Sequence, residues 1–399
     1  MISEGNLSQR IFSDMSVYNS IADQIMRGHW NPNHFFQSIG YPLIILLTKK
    51  ASGNWGQFLN VIQILASMGT LGFIYALSSR SFGQKVGVTT LLIGSIHIPW
   101  IYLPGYALPE TFFTFFLSAA AWYSLKIFKD DVSPVNCFLW AFSFILAFWL
   151  KGTHVLWAPL LFLGLLMAKG KASIKPILLM GFIIATGLGI HGYLTFSKIG
   201  KVQLSASTGG LNFVEGKCPT KRNEDSIGYW WQSPLYTQLH MNAYKKWDKP
   251  FTNSSHYMKE GLKCIGENPI VLVQSLESIP YLFFGNRMWP LTENKLAQYF
   301  RLYELFFSAF LIIGLAVIMR EVFSREMSLS DKLIWILPII SLFLCVYIFK
   351  SELRYRIPFD VWFIPAAVQG WILLLQKRSY PDTLLNRGSH AIVSCRSMF

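Results

Sequence analysis

The stretch Ser351-Glu352-Leu353-Arg354-Tyr355-Arg356-Ile357-Pro358 sets a glutamate and two arginines between two long apolar runs, Leu333–Phe349 and Val361–Leu375. Runs of this kind read as membrane spans. Ionisable groups wedged between spans are costly to desolvate, so they face a polar cavity or the lipid headgroups. Arginines two positions apart in an extended or turning segment can offer paired donor forks to a phosphate. They can equally snorkel to headgroups as anchors, and this stretch alone leaves both readings open.

Outward from it the same alternation repeats. Apolar runs occur at Phe58–Leu77, Val86–Leu103, Thr111–Phe128, Val135–Leu150, Val155–Ala168, Ile174–Phe196 and Leu302–Met319. A further apolar segment, Ile270–Phe284, is broken by Gln274, Ser275 and Glu277 and reads as half-inserted or interfacial. Hydrophobic residues make up 52% of the 399 and charged residues 14%, against about 25% charge in soluble domains. The expected fold is therefore an all-α polytopic membrane protein of about 9–10 helices, because lipid leaves the backbone no other partner than itself. The expected organisation is a first loop at 1–57, a six-helix region at 58–197, a large loop with an interfacial helix at 198–298, C-terminal spans at 299–376 and a tail at 377–399.

The net charge of +14 sits in short loops between apolar runs, a pattern of membrane orientation that argues against nucleic-acid binding. Arg80, Lys85, Lys126, Lys129, Lys169, Lys171, Lys175, Arg320, Arg325, Lys332, Lys377 and Arg378 share one side if Ile270–Phe284 does not cross, and that side is expected to be cytoplasmic. The other side then holds the first segment, the Tyr106–Glu110 and Lys151–His154 turns, the Ser197–Asn268 loop and Lys350–Pro358. Met1–Phe36 lacks the apolar core of a signal peptide, so a hydrophilic start on the outer face predicts a span ahead of Met1. The outer loop carries Cys218 and Cys264, a candidate disulfide in an oxidising compartment, whereas Cys137 and Cys345 fall in spans.

Val17, Ile21, Ile25 and Met26 repeat at helical spacing, with Ser13 or Asp14 where a cap belongs and Gly28 where a helix stops. This predicts an amphipathic helix on the membrane surface, followed by a second from Tyr41-Pro42-Leu43 to Lys49-Lys50. Asp14, with Tyr18 four residues on, then Ala22 and Gly28, ahead of a Gly40-Tyr41-Pro42-Leu43 helix, resembles the first outer loop of the GT-C membrane glycosyltransferases. The nearest likeness is to the family 39-like branch of protein O-mannosyltransferases and the lipid A aminoarabinose transferase. Arg80-Ser81-Phe82-Gly83, Pro109-Glu110, Ser207 to Phe213 with Gly216, and Glu352 to Pro358 resemble further motifs of that family. The resemblance spans nearly the whole chain, and it implies a first transmembrane helix just before Asp14.

What the resemblance implies is sugar transfer from a polyprenyl-phosphate donor, with inversion, to an extracytoplasmic lipid, glycan or protein acceptor. The alternatives are a lipid-linked glycan polymerase, ligase or flippase, or a secondary transporter, although transporters favour ionisable groups at the midplane rather than at span ends. Asp14 takes the position of the family's catalytic aspartate, and a carboxylate base suits an acceptor hydroxyl. Tyr18, Asn212 and Glu352 fall in the matching motifs as substrate-binding candidates. The leaving phosphate calls for fixed cations, for which Arg354, Arg356 and Lys151 stand on the expected outer side. Glu110 can orient the acceptor or pair with a cation, or simply open a helix. His29, His34, His97, His154 and His191 show no metal-ligand spacing, and no phosphate or dinucleotide loop occurs, so neither metal nor cofactor is expected. The expected location is the cell inner membrane or the endoplasmic reticulum. Asp130-Asp131 reads as a solvated cytoplasmic loop, and Asn6-Leu7-Ser8 and Asn253-Ser254-Ser255 match the glycosylation pattern without carrying an inference.

Overall fold

The computed structural model describes residues 14–130, 132–218, 252–284, 295–323 and 327–379. Asn6, Ser13, Asp131, Arg325 and the polar tail from Tyr380, all named above, lie outside these residues. Every regular element described is helical. Two surface helices come first, α1 (Asp14–Met26) and α2 (Gly40–Ala51). The helices α3 (Trp55–Phe82), α4 (Gln84–Ser95), α5 (Ile98–Tyr102), α6 (Glu110–Lys129), α7 (Pro134–Leu150), α8 (Trp157–Lys169) and α9 (Ile174–Ile199) follow. Then come α10 (Thr208–Lys217), α11 (Ser254–Glu267), α12 (Ile270–Gln274), α13 (Ser278–Phe284), α14 (Lys295–Phe323), α15 (Leu329–Ile348), the single turn α16 (Leu353–Arg356) and α17 (Asp360–Ser379).

Among the described residues, six stretches are long and apolar enough to cross a membrane: Trp55–Phe82, Glu110–Lys129, Gly152–Ile199, Gln298–Glu321, Leu329–Ile348 and Leu353–Gln376. A seventh is the pair α4 and α5, bent by 56° at Ile96–His97. The expectation of about 9–10 transmembrane helices exceeds this count, and two features account for part of the difference. The 48-residue stretch Gly152–Ile199 holds two helices, α8 and α9, joined by a 3-10 turn, and Pro134–Leu150 is apolar but short. The chain is a multi-pass integral membrane protein.

The amphipathic stripe of α1 differs from the one expected. Met15, Tyr18, Ile21, Ala22 and Ile25 are buried, whereas Val17 and Met26 are exposed. The buried residues 15, 18, 22 and 25 recur at helical spacing, and this row, with Ile21 beside it, forms the inward face. Gly28 ends the segment at φ 79°, a conformation open to glycine. Lys49 pairs with Asp23 at 2.5 Å and ties α2 to α1.

Bundle contacts in lipid depend on close approach rather than on hydrophobic exclusion, so small residues mark them. A Cβ on Gly314 would stand 2.5 Å from the Ala367 carbonyl oxygen, so α14 and α17 touch backbone to backbone there. A Cβ on Gly40 would stand 2.5 Å from the Trp149 carbonyl oxygen, and this contact sets the start of α2 against the end of α7. The loop after α9 is pinned to the first segment by backbone bonds from Ser207 N to the Phe35 oxygen and from Thr208 N to the Phe36 oxygen, both 3.0 Å.

Cys218 and Cys264 form a disulfide between the end of α10 and α11, with Cα atoms 5.4 Å apart. Asn253, in the second of the glycosylation triplets, caps α11 by accepting from the His256 N–H at 3.2 Å. The bridge closes a loop of sequence separation 46, for which chain entropy gives about 4 kcal/mol of stabilisation. Cys264→Ser should therefore make this loop cleave under limited proteolysis at protease levels that leave the wild type intact. Equal cleavage of both would remove the bridge from the account of stability.

A cavity of paired charges at the end of the bundle

Glu110 reaches its place through a buried polar clamp. Gln63, in the apolar middle of α3, accepts from the Tyr41 hydroxyl at 3.0 Å and donates to the carbonyls of Pro104 and Tyr106 at 2.8 and 3.0 Å. A fully buried amide is tolerated only when its groups are satisfied, and here each bond fixes the turn that leads into α6. Glu110 is the first residue of that helix and is itself buried. Lys151 is delivered from the far side by the end of α7, and its Nζ donates to Glu110 Oε1 at 3.0 Å. It also lies over the Tyr355 ring, 4.7 Å from the centroid. Burial draws the Lys151 ammonium below its usual range, and the Glu110 carboxylate opposes that. Lys151 is thus an inward, paired cation and not a headgroup anchor.

The turn α16 brings Arg354 to the same place. Its Nε donates to Glu352 at 2.5 Å, and its Nη1 stands 3.3 Å from Asp14 Oδ2 and 3.9 Å from Glu110 Oε1. Asp14 accepts a second bond from the Gln37 amide at 3.3 Å. Lys350 completes the chain of charges, 2.7 Å from Glu215 of α10 and 3.6 Å from Glu352. Burial works to raise the Glu352 carboxyl, but Arg354 and Lys350 outweigh it and hold the group below its usual range. Burial, reinforced by Asp14 and Glu110, keeps the Tyr18 hydroxyl well above its usual range, so it is a neutral donor.

These groups surround a cavity of about 420 Å³. Asp14, Tyr18, Glu110, Lys151, Asn212, Glu352 and Arg354 all line it. Arg356 does not, and the expectation that it joins Arg354 in one fork is corrected. It points to the opposite side of its turn and is fully buried, donating to Asp360 at 3.1 Å, Glu304 at 2.7 Å and Ser308 at 3.0 Å. The reason is helical. Residues two apart share a face in an extended strand but lie about 200° apart around a helix, and Leu353–Arg356 is a helical turn. Sequence reasoning also passed over Gln37, Lys350 and Glu215. Lys350 stands two positions before Glu352 in an extended segment, and that period-two spacing is the signal for it.

Among the three carboxylates on the wall, accessibility separates roles. The Asp14 side chain is 27% exposed, against 2% for Glu110 and 8% for Glu352. All three take part in ion pairs, and Asp14 is the most exposed of them. The opposite end of α6 is of another kind. There Lys129 pairs with Asp331 at 2.7 Å and Arg80 pairs with Asp130 at 2.7 Å, and a helix of 20 residues sets the two ends about 30 Å apart.

Residues 37–190 match the family described as dolichyl-phosphate-mannose-protein mannosyltransferase, less than half of the chain but including α2, Glu110 and Lys151. This matched family is of GT-C type, a family of membrane glycosyltransferases. No curated protein and no solved structure matches the chain.

Proposed function

We propose that the chain transfers a sugar from a polyprenyl-phosphate carrier to a hydroxyl of an extracytoplasmic lipid, glycan or protein, with inversion at the anomeric carbon. The observation that carries this reading is the meeting of Asp14 and Arg354, 340 positions apart in sequence, on one cavity wall. Asp14 takes the proton of the acceptor hydroxyl as its oxygen bonds to the anomeric carbon. The bond from that carbon to the phosphate oxygen breaks, and its electron pair leaves with the carrier. Arg354 and Lys151 meet the charge that grows on the phosphate. A phosphate that engages Arg354 also draws it from Asp14, so donor binding itself frees the base. Tyr18 and Asn212 supply hydrogen-bonding groups to the sugar, and Glu110 and Glu352 hold the two cations in place.

Membrane vesicles offered a panel of radiolabelled polyprenyl-phosphate sugars should transfer one of them and leave free nucleotide sugars untouched. Arg354→Lys keeps the charge but loses the planar fork. It should raise the donor KM by about tenfold, the loss of one charge-assisted bond of roughly 1.4 kcal/mol, with the acceptor KM unchanged. A donor KM equal to wild type would remove the phosphate from Arg354.

A further inference from the structure

We infer that Lys350, set by Glu215 on one side and Glu352 on the other, is a third phosphate-binding cation of this cavity and shares one carrier phosphate with Arg354. The inference deepens the proposed function and rests on its phosphate site.

The geometry comes from Glu352. One of its oxygens lies 2.5 Å from Arg354 Nε and the other 3.6 Å from Lys350 Nζ. The two cations are therefore spaced by the width of a single carboxylate, an anion whose oxygens are set much as those of a phosphate are. A phosphate seated beside Glu352 reaches both. The alternation Lys350, Glu352, Arg354 on the cavity wall continues through Glu110 to Lys151, so cations and carboxylates take turns along it. A fixed row of this kind keeps each cation charged and aimed at a cost met during folding rather than during reaction. Burial opposes the charge of Lys350, yet Glu215 and then Glu352 hold its ammonium above the usual range. Lys350 is thus charged wherever the enzyme works.

Its position is fixed from outside the cavity as well. Glu215 lies on α10, and the two residues after it are anchored. Gly216 sits against the Phe349 carbonyl, leaving no room for a Cβ. Lys217 is buried and donates to the Tyr347 carbonyl at 2.5 Å and to the Ser275 hydroxyl at 2.6 Å. Through Glu215 the large outer loop reaches the phosphate site, which gives that loop a positioning role in donor recognition beyond forming a wall.

The test is the binding of farnesyl phosphate to the purified full chain in nanodiscs, with farnesol as the uncharged control. Lys350→Met should weaken farnesyl phosphate about tenfold and leave farnesol unchanged, and Lys350→Arg should recover most of the loss. Glu215→Gln keeps the cation but loosens it, and should give a smaller loss of the same sign. Because Lys350→Met leaves Glu215 unpaired, the double variant Lys350→Met with Glu215→Gln keeps the charge balance, and it should show the same tenfold loss in a protein that melts like wild type. If Arg354→Lys weakens farnesyl phosphate while the folded double variant binds it as wild type does, Lys350 has no part in the phosphate site and the inference fails alone. If neither variant changes binding, the phosphate site itself fails with it.

Discussion

Asp14→Asn is expected to lower transfer by about 10²-fold or more while leaving insertion and melting temperature at wild-type values. The expectation follows from what the substitution preserves. Gln37 and Arg354 each donate at 3.3 Å to a different oxygen of Asp14, so asparagine keeps the volume and one acceptor, and it gives up the bond from Arg354. These are long bonds on a partly exposed group, so their contribution to folding is small. The amide cannot take a proton from the acceptor, and that is the one function removed. Donor binding measured with farnesyl phosphate should be unchanged or tighter, because Arg354 loses a competing carboxylate. Asp14→Glu should retain part of the rate if the longer carboxylate still reaches the hydroxyl. Wild-type turnover by a folded Asn variant would reduce Asp14 to a helix-opening residue and would hand the base role to one of the paired glutamates.

The span pattern and the two surface helices were legible because hydrophobic runs and capping residues are local signals. Asp14, Glu110, Lys151 and Arg354 were legible as charges at the ends of apolar runs, where desolvation makes ionisable side chains rare. What periodicity hid was which face each helix buries. The inward row of α1 runs through Met15 and Tyr18 rather than Val17 and Met26, and a single helical turn at Leu353–Arg356 sends two neighbouring arginines to different environments. Gln63 was hidden for a different reason. A lone amide in a span carries no local cue, and its role arises only from Tyr41, Pro104 and Tyr106 meeting it in space. Lys350 stands between a span and a motif, and its one cue is its spacing of two from Glu352 in an extended segment.

Arg356→Met is expected to cost about 3–5 kcal/mol of stability, the range for removing one partner of a buried ion pair. Arg356, Asp360 and Glu304 are almost wholly enclosed. Their single guanidinium meets two carboxylates, while His97 contributes a further contact to Asp360 at 3.1 Å and a bond with the Tyr303 hydroxyl at 2.7 Å. Without the arginine, two carboxylates face each other in a medium that solvates neither. The cluster joins three separate parts of the chain: the bend between α4 and α5 at His97, helix α14, and the start of α17. Its loss should therefore lower the melting temperature and loosen the turn that presents Arg354, so activity falls as a consequence. Charge balance provides the decisive comparison. Adding Glu304→Gln and Asp360→Asn to Arg356→Met removes the unpaired carboxylates, and this triple variant should melt closer to wild type than the single variant does. If the single variant melts as wild type, the cluster contributes no net stability. If the triple variant melts lower still, the lost energy lies in hydrogen bonds to Ser308 and His97 rather than in the buried charges.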